Sequence, residues 1–325
     1  MADDFYMTDT PSTREAANRA ASAWNLGGEP SLIGRLENFT YRAGPSDRER
    51  IVRVTEPTHR SFAELEAELD WLGFLSQRGI KVSAPLPSDR GNLIEPFETA
   101  DGPLHVSVFV KAPGSPFNFQ RDWGPEFHRA LGELIGSMHA ATMGYSPPEG
   151  ARRKSWAEDM GHLRQVISTS EPSARSEFDE VVRWATTLDT SRATFGLVHT
   201  DLHYANMYVG TQYEITAFDF DGCHYDWFAY DLAVPLFYAL LSFDLPSMDA
   251  SQQDWFYGPL LDGYKKKMPI ADEWIARIPG FVRFRRADLF TFICKELDID
   301  NLTHDWDVRS VRRIREGFNN QEPLV

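Results

Sequence analysis

The segment LVHTDLHYANMYV, from Leu197 to Val209, places four chemically versatile side chains between two apolar runs. These side chains are His199, Asp201, His203 and Asn206. Apolar residues on both sides predict a loop that is fixed between two buried elements, so its side chains would be held in defined positions. A lone aspartate in a loop is usually a turn or cap residue. Four functional groups in eight positions instead favour a catalytic or metal-binding loop.

A second acidic segment, ITAFDFDGCHYDW, follows within twenty residues. Strand alternation would put Asp219 and Asp221 on one side, and Phe218 and Phe220 on the other. Two carboxylates on one side repel each other unless a cation lies between them, and Mg²⁺ prefers oxygen ligands. Asn206 could supply a neutral oxygen to the same ion. For Asp221, the alternative is that it caps the following turn.

The chain is longer than a single compact unit usually requires, because it has 325 residues of which 42% are hydrophobic. We therefore expect two lobes and an α+β fold class. Residues 1–112 would form a small lobe with an antiparallel sheet and a leading helix. Residues 113–325 would form a larger, mainly helical lobe.

Local patterns predict the main elements of both lobes. STREAANRAASAWNL is predicted to be a helix capped by Ser12 or Thr13, and SLIGRL, FTYRA and RIVRVT are predicted strands. SFAELEAELDWLGFLSQRG is a predicted helix with one apolar face, formed by Phe62, Leu65, Leu69, Leu72 and Leu75. Later helices are predicted in FHRALGELIGSMHAATMG, EFDEVVRWATTL, DLAVPLFYALLSF, DWFYGPLLDGYKKK and RFRRADLFTFICKEL.

The helix around Leu65 predicts an ion pair. On a helical wheel, Glu68 falls inside the arc of the leucines, whereas Glu66 and Asp70 point elsewhere. A carboxylate on a buried face needs a cation, and Arg53 on the preceding strand is the candidate. The alternative places Glu68 at a solvated margin of the helix.

Charge and cysteine content restrict the partners and the compartment. The formal net charge is −15, which disfavours nucleic acid and anionic lipid as partners. The longest apolar stretch, DLAVPLFYALLSF, is too short to cross a bilayer. There are only two cysteines, Cys223 and Cys294, and the N-terminal residues lack an apolar secretion segment. We therefore expect a cytoplasmic protein.

Three motifs together resemble a known family. HTDLHYAN, then FDFD, then YDLA occur in the order and at the spacing found in the aminoglycoside phosphotransferase and choline kinase group. Within that group, the chain is most similar to the broad phosphotransferase enzyme family, which includes homoserine kinase-like members. The resemblance implies a two-lobed, protein-kinase-like fold, ATP and Mg²⁺ as cofactors, and transfer of the γ-phosphate to an alcohol group.

The resemblance also implies roles for the residues of the motifs. Asp201 would be the catalytic base, which accepts a hydrogen bond from the acceptor hydroxyl and takes its proton late. Asn206 and Asp219 would hold Mg²⁺, with Asp221 as a further candidate ligand. Asp231 of YDLA would be a buried acid that holds the catalytic loop.

Other residues receive supporting roles from the same resemblance. His199 would orient the loop through a hydrogen bond, and the role of His203 stays open. ATP would lie between the lobes under residues 34–41, where GRLENFTYRA resembles the nucleotide-covering turn and contributes Asn38. Arg53 would contact the phosphates, with Glu68 as its partner in the ion pair typical of kinases. Backbone groups of Phe109, Val110 and Lys111 would meet the adenine.

The acceptor is expected to be a small molecule with a hydroxyl group, because YDLA follows the metal aspartates too closely for a separate activation segment. An aminoglycoside, an amino alcohol, homoserine or a sugar would each fit. A polyamine could bind the acidic group formed by Glu296, Asp298, Asp300, Asp305 and Asp307, which otherwise forms a solvated surface. A choline-like cation could contact the aromatic group formed by Tyr225, Trp227, Phe228 and Tyr230, which otherwise belongs to the core. The oligomeric state stays open, and a homodimer is compatible with the sequence.

Three other functions compete with this one. A metallohydrolase could use His199, Asp201 and His203 to bind zinc or iron. A non-catalytic nucleotide-binding protein would fit the arginine at position 53 and the early position of Gly34. A protein serine/threonine kinase of the same lineage is the third alternative.

Overall fold

The computed structural model describes residues 8–100, 102–243 and 253–318. The chain forms two compact units. The first unit comprises Met1–Pro113, Tyr145–Arg153 and Thr216–Asp221. The second unit comprises Gly114–Gly144, Lys154–Ile215 and Gly222–Val325. Both units are therefore discontinuous in sequence. A boundary near residue 112 corresponds only to the first point at which the chain passes from one unit to the other.

A six-stranded sheet dominates the first unit. Its strands are β1 (Ser31–Arg35), β2 (Phe39–Ala43), β3 (Arg50–Thr55), β4 (Pro85–Leu86), β5 (Glu95–Thr99) and β6 (Gly102–Val110). The strand order is β1-β2-β3-β6-β4, and β5 also pairs with β6. All of these pairings are antiparallel. The three strands predicted from SLIGRL, FTYRA and RIVRVT are confirmed as β1 to β3.

The first helix, α1 (Pro11–Ala23), begins earlier than the sequence predicted. Its N-cap is Thr10, whose hydroxyl accepts a hydrogen bond from the Thr13 N–H at 3.1 Å. The Thr13 hydroxyl in turn accepts from the Thr10 N–H at 3.1 Å, which completes a capping box. The prediction of Ser12 or Thr13 as the cap is wrong because Pro11, with its fixed φ, already suits the first turn of a helix.

The second helix, α2 (Phe62–Gln77), is confirmed, and Ser61 is its N-cap. The predicted apolar face is correct for four of its five members, because Leu65, Leu69, Leu72 and Leu75 are all buried. Phe62 is wrong as a core residue, since 44% of it is exposed. Its position in the first turn, directly after the cap, places it at the edge of the buried face.

The second unit is mainly helical. Its α-helices are α3 (Phe119–Asp122), α4 (Pro125–Thr142), α5 (Trp156–Leu163), α6 (Pro172–Ala185), α7 (Phe228–Ser242), α8 (Gly258–Lys265), α9 (Asp272–Glu296) and α10 (Asp305–Gly317). A π-helical turn, Gln253–Tyr257, precedes α8, and Thr211–Tyr213 form a 3₁₀ turn. The five later helices predicted from sequence are confirmed as α4, α6, α7, α8 and α9. The helices α3, α5 and α10 were not predicted from the sequence.

Short strands of the second unit hold the loop of residues 199–206. They are β7 (Ser115–Pro116), β8 (Phe195–Val198), β9 (Met207–Val209) and β11 (His224–Trp227), while β10 (Ile215–Ala217) leads into the first unit. β8 pairs antiparallel with β11, and β9 pairs antiparallel with β7. The loop therefore lies between two paired strands, as the apolar runs predicted.

Within the described parts of the chain, we find no helix both long and apolar enough to cross a membrane.

Candidate active site

Asp231, in the first turn of α7, holds the start of the loop 199–206 in the second unit. Its carboxylate accepts hydrogen bonds from the backbone N–H of His199 at 3.0 Å and of Thr200 at 2.7 Å. The ring of His139 on α4 lies 3.0 Å from the same carboxylate. Asp231 and His139 are completely buried. Burial acts to raise the pKa of Asp231, but the bonds from His139 and from the backbone lower it. An ionised Asp231 can therefore fix the turn at Thr200, whose φ is 69°.

His199 also acts on the shape of the loop. Its ring is buried, and Nδ1 lies 3.3 Å from the backbone N–H of Asp201. The loop therefore has the hydrogen bond that the sequence analysis expected from His199. This hydrogen bond uses the backbone N–H of Asp201 and not its carboxylate.

The Asp201 carboxylate is held from both sides. Oδ2 accepts a hydrogen bond from the side-chain amide of Asn206 at 3.1 Å and lies 3.5 Å from Nε2 of His203. Oδ1 accepts a hydrogen bond from Nη2 of Arg285 and lies 3.4 Å from the Tyr238 hydroxyl. Burial acts to raise the pKa of Asp201, but Arg285 and then His203 lower it below its usual range. The side chain remains 33% exposed, so an anionic carboxylate is still accessible.

The side chain of Asn206 is oriented by its amide nitrogen. Among the described residues, both hydrogen bonds of its side chain use the amide nitrogen, which donates to the Asp201 backbone carbonyl at 3.0 Å and to the Asp201 carboxylate. The amide oxygen is therefore the atom that can face a hard cation. His203, whose role the sequence left open, stacks on Tyr238 with 4.4 Å between ring centroids.

Three residues of this hydrogen-bond network were not predicted from the sequence: Tyr238 on α7 and Arg285 on α9, which contact Asp201, and Asp288 on α9, which pairs with Arg285. Arg285 lies 84 residues after Asp201 and donates to Asp288 at 2.7 Å and to the Tyr238 hydroxyl at 2.9 Å. The helical patterns predicted that these residues lie in helices. No local signal indicates which loop they contact, because that depends on how the helices pack.

In the first unit, the ion pair predicted from the helical wheel is confirmed. The guanidinium of Arg53 donates to both carboxylate oxygens of Glu68, at 2.7 and 2.8 Å. Both side chains are buried, and Glu68 is completely so. Burial acts to lower the pKa of Arg53, but Glu68 raises it, so the arginine stays charged. The guanidinium also lies 5.0 Å from the centre of the Phe109 ring.

The two aspartates of FDFD do not share one side of a strand, so that expectation was wrong. The strand ends at Ala217, and Asp219 has a φ of 64°, which breaks the alternation. Asp219 is exposed, whereas Asp221 is buried. Because αL backbone is unusual for an aspartate, the conformation marks Asp219 as a special position.

Asp221 is surrounded by basic side chains, of which His59 and Arg60 were not predicted from the sequence. Its Oδ2 lies 2.9 Å from His59 and 2.9 Å from Arg60, and Nη1 of Arg53 lies 3.9 Å from its Oδ1. Arg153 donates to its backbone carbonyl. Burial acts to raise the pKa of Asp221, but Arg60, His59 and Arg53 lower it well below its usual range. Arg60 and Arg53 therefore supply positive charge at Asp221, for which the sequence suggested either a metal ion or the cap of a turn.

The remaining predicted nucleotide contacts are in this unit as well. The Asn38 side-chain oxygen accepts a hydrogen bond from the Thr55 hydroxyl at 2.6 Å, which fixes the turn between β1 and β2. The Val110 N–H donates to the Ala84 carbonyl at 2.9 Å. Lys111 pairs with Glu49 at 2.5 Å.

Two alternatives for the acceptor or the metal lose their structural basis. Trp227, Phe228 and Tyr230 are buried, so the core interpretation of that aromatic group is correct for these three residues, whereas Tyr225 is half-buried. Within the described residues, His199, Asp201 and His203 do not form a set whose donor atoms could reach one ion, which contradicts the metallohydrolase site. The one such set among those residues is Glu37, His59 and Asp221.

An α+β fold with a buried Arg–Glu pair, an exposed aspartate at positive φ and an Asp–Asn loop defines a protein-kinase-like phosphotransferase. Residues 31–265 match the model of the phosphotransferase enzyme family, and the chain belongs to that family. The prediction of a kinase that acts on small molecules is confirmed at this level.

Individual relatives cover nearly the whole chain. Amicoumacin kinase of Bacillus subtilis (strain 168) is 28% identical over 298 residues, which are 90% of this chain and 88% of the relative. The solved structure of amicoumacin kinase hAmiN in complex with AMP-PNP, Ca²⁺ and Ami is similar with a TM-score of 0.84 and 28% identity, over 96% of this chain and 94% of that one. A microcompartment-associated aminopropanol kinase shares the fold, with a TM-score of 0.75 and 23% identity over 94% and 95% of the two chains.

Proposed function

We propose that this enzyme transfers the γ-phosphate of ATP, with Mg²⁺, to a hydroxyl group of a small molecule. The observation that carries the proposal is the Asp201 carboxylate, which is anionic, accessible, and held by Asn206 on one oxygen and Arg285 on the other. Phosphoryl transfer depends mainly on positioning and charge neutralisation. A carboxylate of low basicity suits that chemistry, because it orients the hydroxyl and takes the proton late.

Each unit supplies part of the machinery. In the first unit, Arg53, supported by Glu68, would bind phosphate oxygens, and Asn38 with residues 109–111 would bind the rest of the nucleotide. Asp219 and, in the second unit, the amide oxygen of Asn206 would be metal ligands, with Oδ1 of Asp221 as a further candidate. A divalent ion would neutralise phosphate charge. AMP-PNP and Ca²⁺ in the hAmiN structure support a nucleotide and a divalent ion here.

The acceptor class follows from the relatives and from the short spacing between the metal segment and Asp231. Amicoumacin and aminopropanol are the first acceptors to test, because relatives of this chain carry those names. Aminoglycosides, choline, homoserine and sugars complete the panel, and casein represents protein acceptors. We further infer a cytoplasmic location without nucleic-acid or membrane partners, from the acidic charge and the low cysteine content. The homodimer stays a prediction.

The test measures ADP release from Mg·ATP across this panel for the wild type, Asp201→Asn and Asp262→Asn. Asp262 is an exposed aspartate on α8 and serves as the matched control. We expect acceptor-dependent turnover by the wild type. Turnover should fall by about 10³-fold in Asp201→Asn, which should keep its nucleotide affinity, and it should be unchanged in Asp262→Asn.

Other outcomes decide between the alternatives. Nucleotide binding without turnover on any acceptor would favour a non-catalytic nucleotide-binding protein. Turnover on casein alone would favour a protein kinase. If Asp201→Asn were as active as Asp262→Asn, Asp201 would not be the catalytic base.

A further inference from the structure

Three arginines in the RFRR segment of α9 divide between two sides of the helix. Arg283 and Arg286 lie about 60° apart around the helix axis, and Arg285 lies about 100° beyond Arg286. Arg283 donates to Glu177 of α6 at 3.0 and 2.8 Å, and Arg286 donates to the same carboxylate at 2.7 Å. Glu177 is completely buried. Because these bonds fix the rotation of α9, the side on which Arg285 projects is fixed too.

The guanidinium of Arg285 is anchored by groups other than Asp201. Nη1 donates to Asp288 at 2.7 Å, and Nη2 donates to the Tyr238 hydroxyl at 2.9 Å. Asp288 is itself held by the Tyr230 hydroxyl at 3.1 Å. Only 7% of Arg285 is exposed. Arg285 is therefore not a flexible surface arm that follows the nearest carboxylate, but a fixed donor against which Asp201 is placed.

The two oxygens of Asp201 are held unequally. Oδ1 accepts a charge-assisted hydrogen bond from Arg285. Oδ2 accepts a hydrogen bond from the neutral side-chain amide of Asn206 at 3.1 Å and lies 3.5 Å from Nε2 of His203. A charge-assisted hydrogen bond is about twice as strong as a neutral one. Oδ1 is therefore the anchored oxygen, and Oδ2 is the oxygen more available to a further donor.

We propose that Arg285 is a positioning residue for phosphoryl transfer: it anchors Oδ1 of Asp201 so that Oδ2 receives the acceptor hydroxyl. This inference rests on the proposed function of the Asp201 carboxylate. Without Arg285, Asp201 would keep Asn206 and His203 at Oδ2 and only the Tyr238 hydroxyl, at 3.4 Å, at Oδ1, so its carboxylate would gain freedom to rotate. Since a misplacement of about 1 Å can reduce a rate by roughly 10²-fold, we expect kcat to fall by that amount. The KM for the nucleotide should change by less than about threefold, because the contact is with the acceptor-binding carboxylate.

The experiment compares Arg285→Ala with Arg277→Ala, an arginine nearer the start of the same helix that lies 3.9 Å from Glu273, in the full-length protein. We measure kcat and KM with and without added guanidinium, and the Tm of each variant. We expect kcat to fall about 10²-fold only in Arg285→Ala. Added guanidinium should raise the kcat of that variant at least about tenfold, because a free cation can reoccupy the site. Loss of packing alone would not be restored by guanidinium. A kcat for Arg285→Ala within threefold of the wild type, or a loss without rescue, would overturn the inference.

A crystal structure of the Arg285→Ala variant tests the inference without any acceptor. We expect the Asp201 carboxylate to adopt another rotamer or to lose its single orientation. An unchanged carboxylate would overturn the role of Arg285, whereas a wild type without turnover would overturn the proposed function instead. If Arg285→Ala does not fold, Arg285→Lys takes its place in the kinetic comparison and in the crystal structure, because lysine keeps the charge but lacks the planar fork; guanidinium is then omitted, since the lysine side chain occupies its place.

Discussion

The residues of this site show how two neighbouring carboxylates can take different roles. Asp219 is exposed and has a positive φ, whereas Asp221 is buried among His59, Arg60 and Arg53. The sequence reads FDFD and predicts equivalent positions. They differ because the strand ends before the first aspartate, so the alternation that would have made them equivalent no longer applies.

The ion pair of Arg53 with Glu68 permits a prediction at the same scale. In Glu68→Ala, the buried guanidinium would lose both of its short hydrogen bonds, so we expect the free energy of unfolding to fall by about 3 kcal/mol. The loss is at the lower end of the usual range because Asp221 lies 3.9 Å away and offsets part of the charge. Urea unfolding measures it.

The control is Glu66→Ala on the same helix, where the side chain is exposed. Its free energy of unfolding should change by no more than about 0.5 kcal/mol. Equal losses in the two variants would show that helix propensity, and not the buried pair, explains the effect.

At the scale of the element, periodicity was informative where one face of an element is buried. The four leucines of α2 are an example, and the same wheel placed Glu68 correctly. The helix α10 was not predicted, because the sequence around it was interpreted as an acidic solvated surface. Only Ser310, Val311 and Ile314 of its thirteen residues are buried.

The packing of α4 against α8 leads to a second prediction. A Cβ added to Gly132 would lie 1.9 Å from the Leu260 carbonyl oxygen, and one added to Gly263 would lie 1.9 Å from the Arg129 carbonyl oxygen. Backbone groups cannot move aside as a side chain can. We therefore expect Gly132→Ala to lower the free energy of unfolding by at least about 3 kcal/mol, or to prevent folding, because overpacking displaces both helices.

Gly73→Ala in α2 is the matched control, since nothing lies within 4 Å of its added Cβ. Alanine is the better helix former, so this variant should be equal to the wild type or up to about 1 kcal/mol more stable. Thermal unfolding of both variants makes the comparison. A Gly132→Ala variant as stable as the wild type would mean that the helices do not approach so closely.

At the scale of the whole molecule, the first unit depends on segments that are distant in sequence. Backbone hydrogen bonds join Ser83 to Ala217 at 2.8 Å and Ala217 to Lys81 at 3.0 Å. Tyr145 donates to Asp70 at 2.8 Å, and the ring of Phe220 lies 5.4 Å from that of Trp71. The first unit is therefore complete only with its two later segments, Tyr145–Arg153 and Thr216–Asp221.

This discontinuity predicts that a fragment of residues 1–113 will not fold as a stable unit. Without residues 145–153 and 216–221, Trp71 and Asp70 lose these partners, and Arg53 loses the charge of Asp221. We expect the fragment to lack a cooperative thermal transition, as measured by circular dichroism. Co-expression with residues 114–325 should restore a soluble complex. A cooperative transition of the isolated fragment at the Tm of the full chain would contradict the prediction.

The sequence by itself determined the strands β1 to β3, the helix α2 with its buried glutamate, and the loop of Asp201 between two strands. Each of these follows from contacts between residues that are close along the chain, or from the period of one buried face. Only the tertiary structure decided that Arg285 contacts Asp201 and that His59 and Arg60 contact Asp221. Those partners are 84, 162 and 161 residues apart, and a long-range contact depends on how whole elements pack, which no local pattern contains.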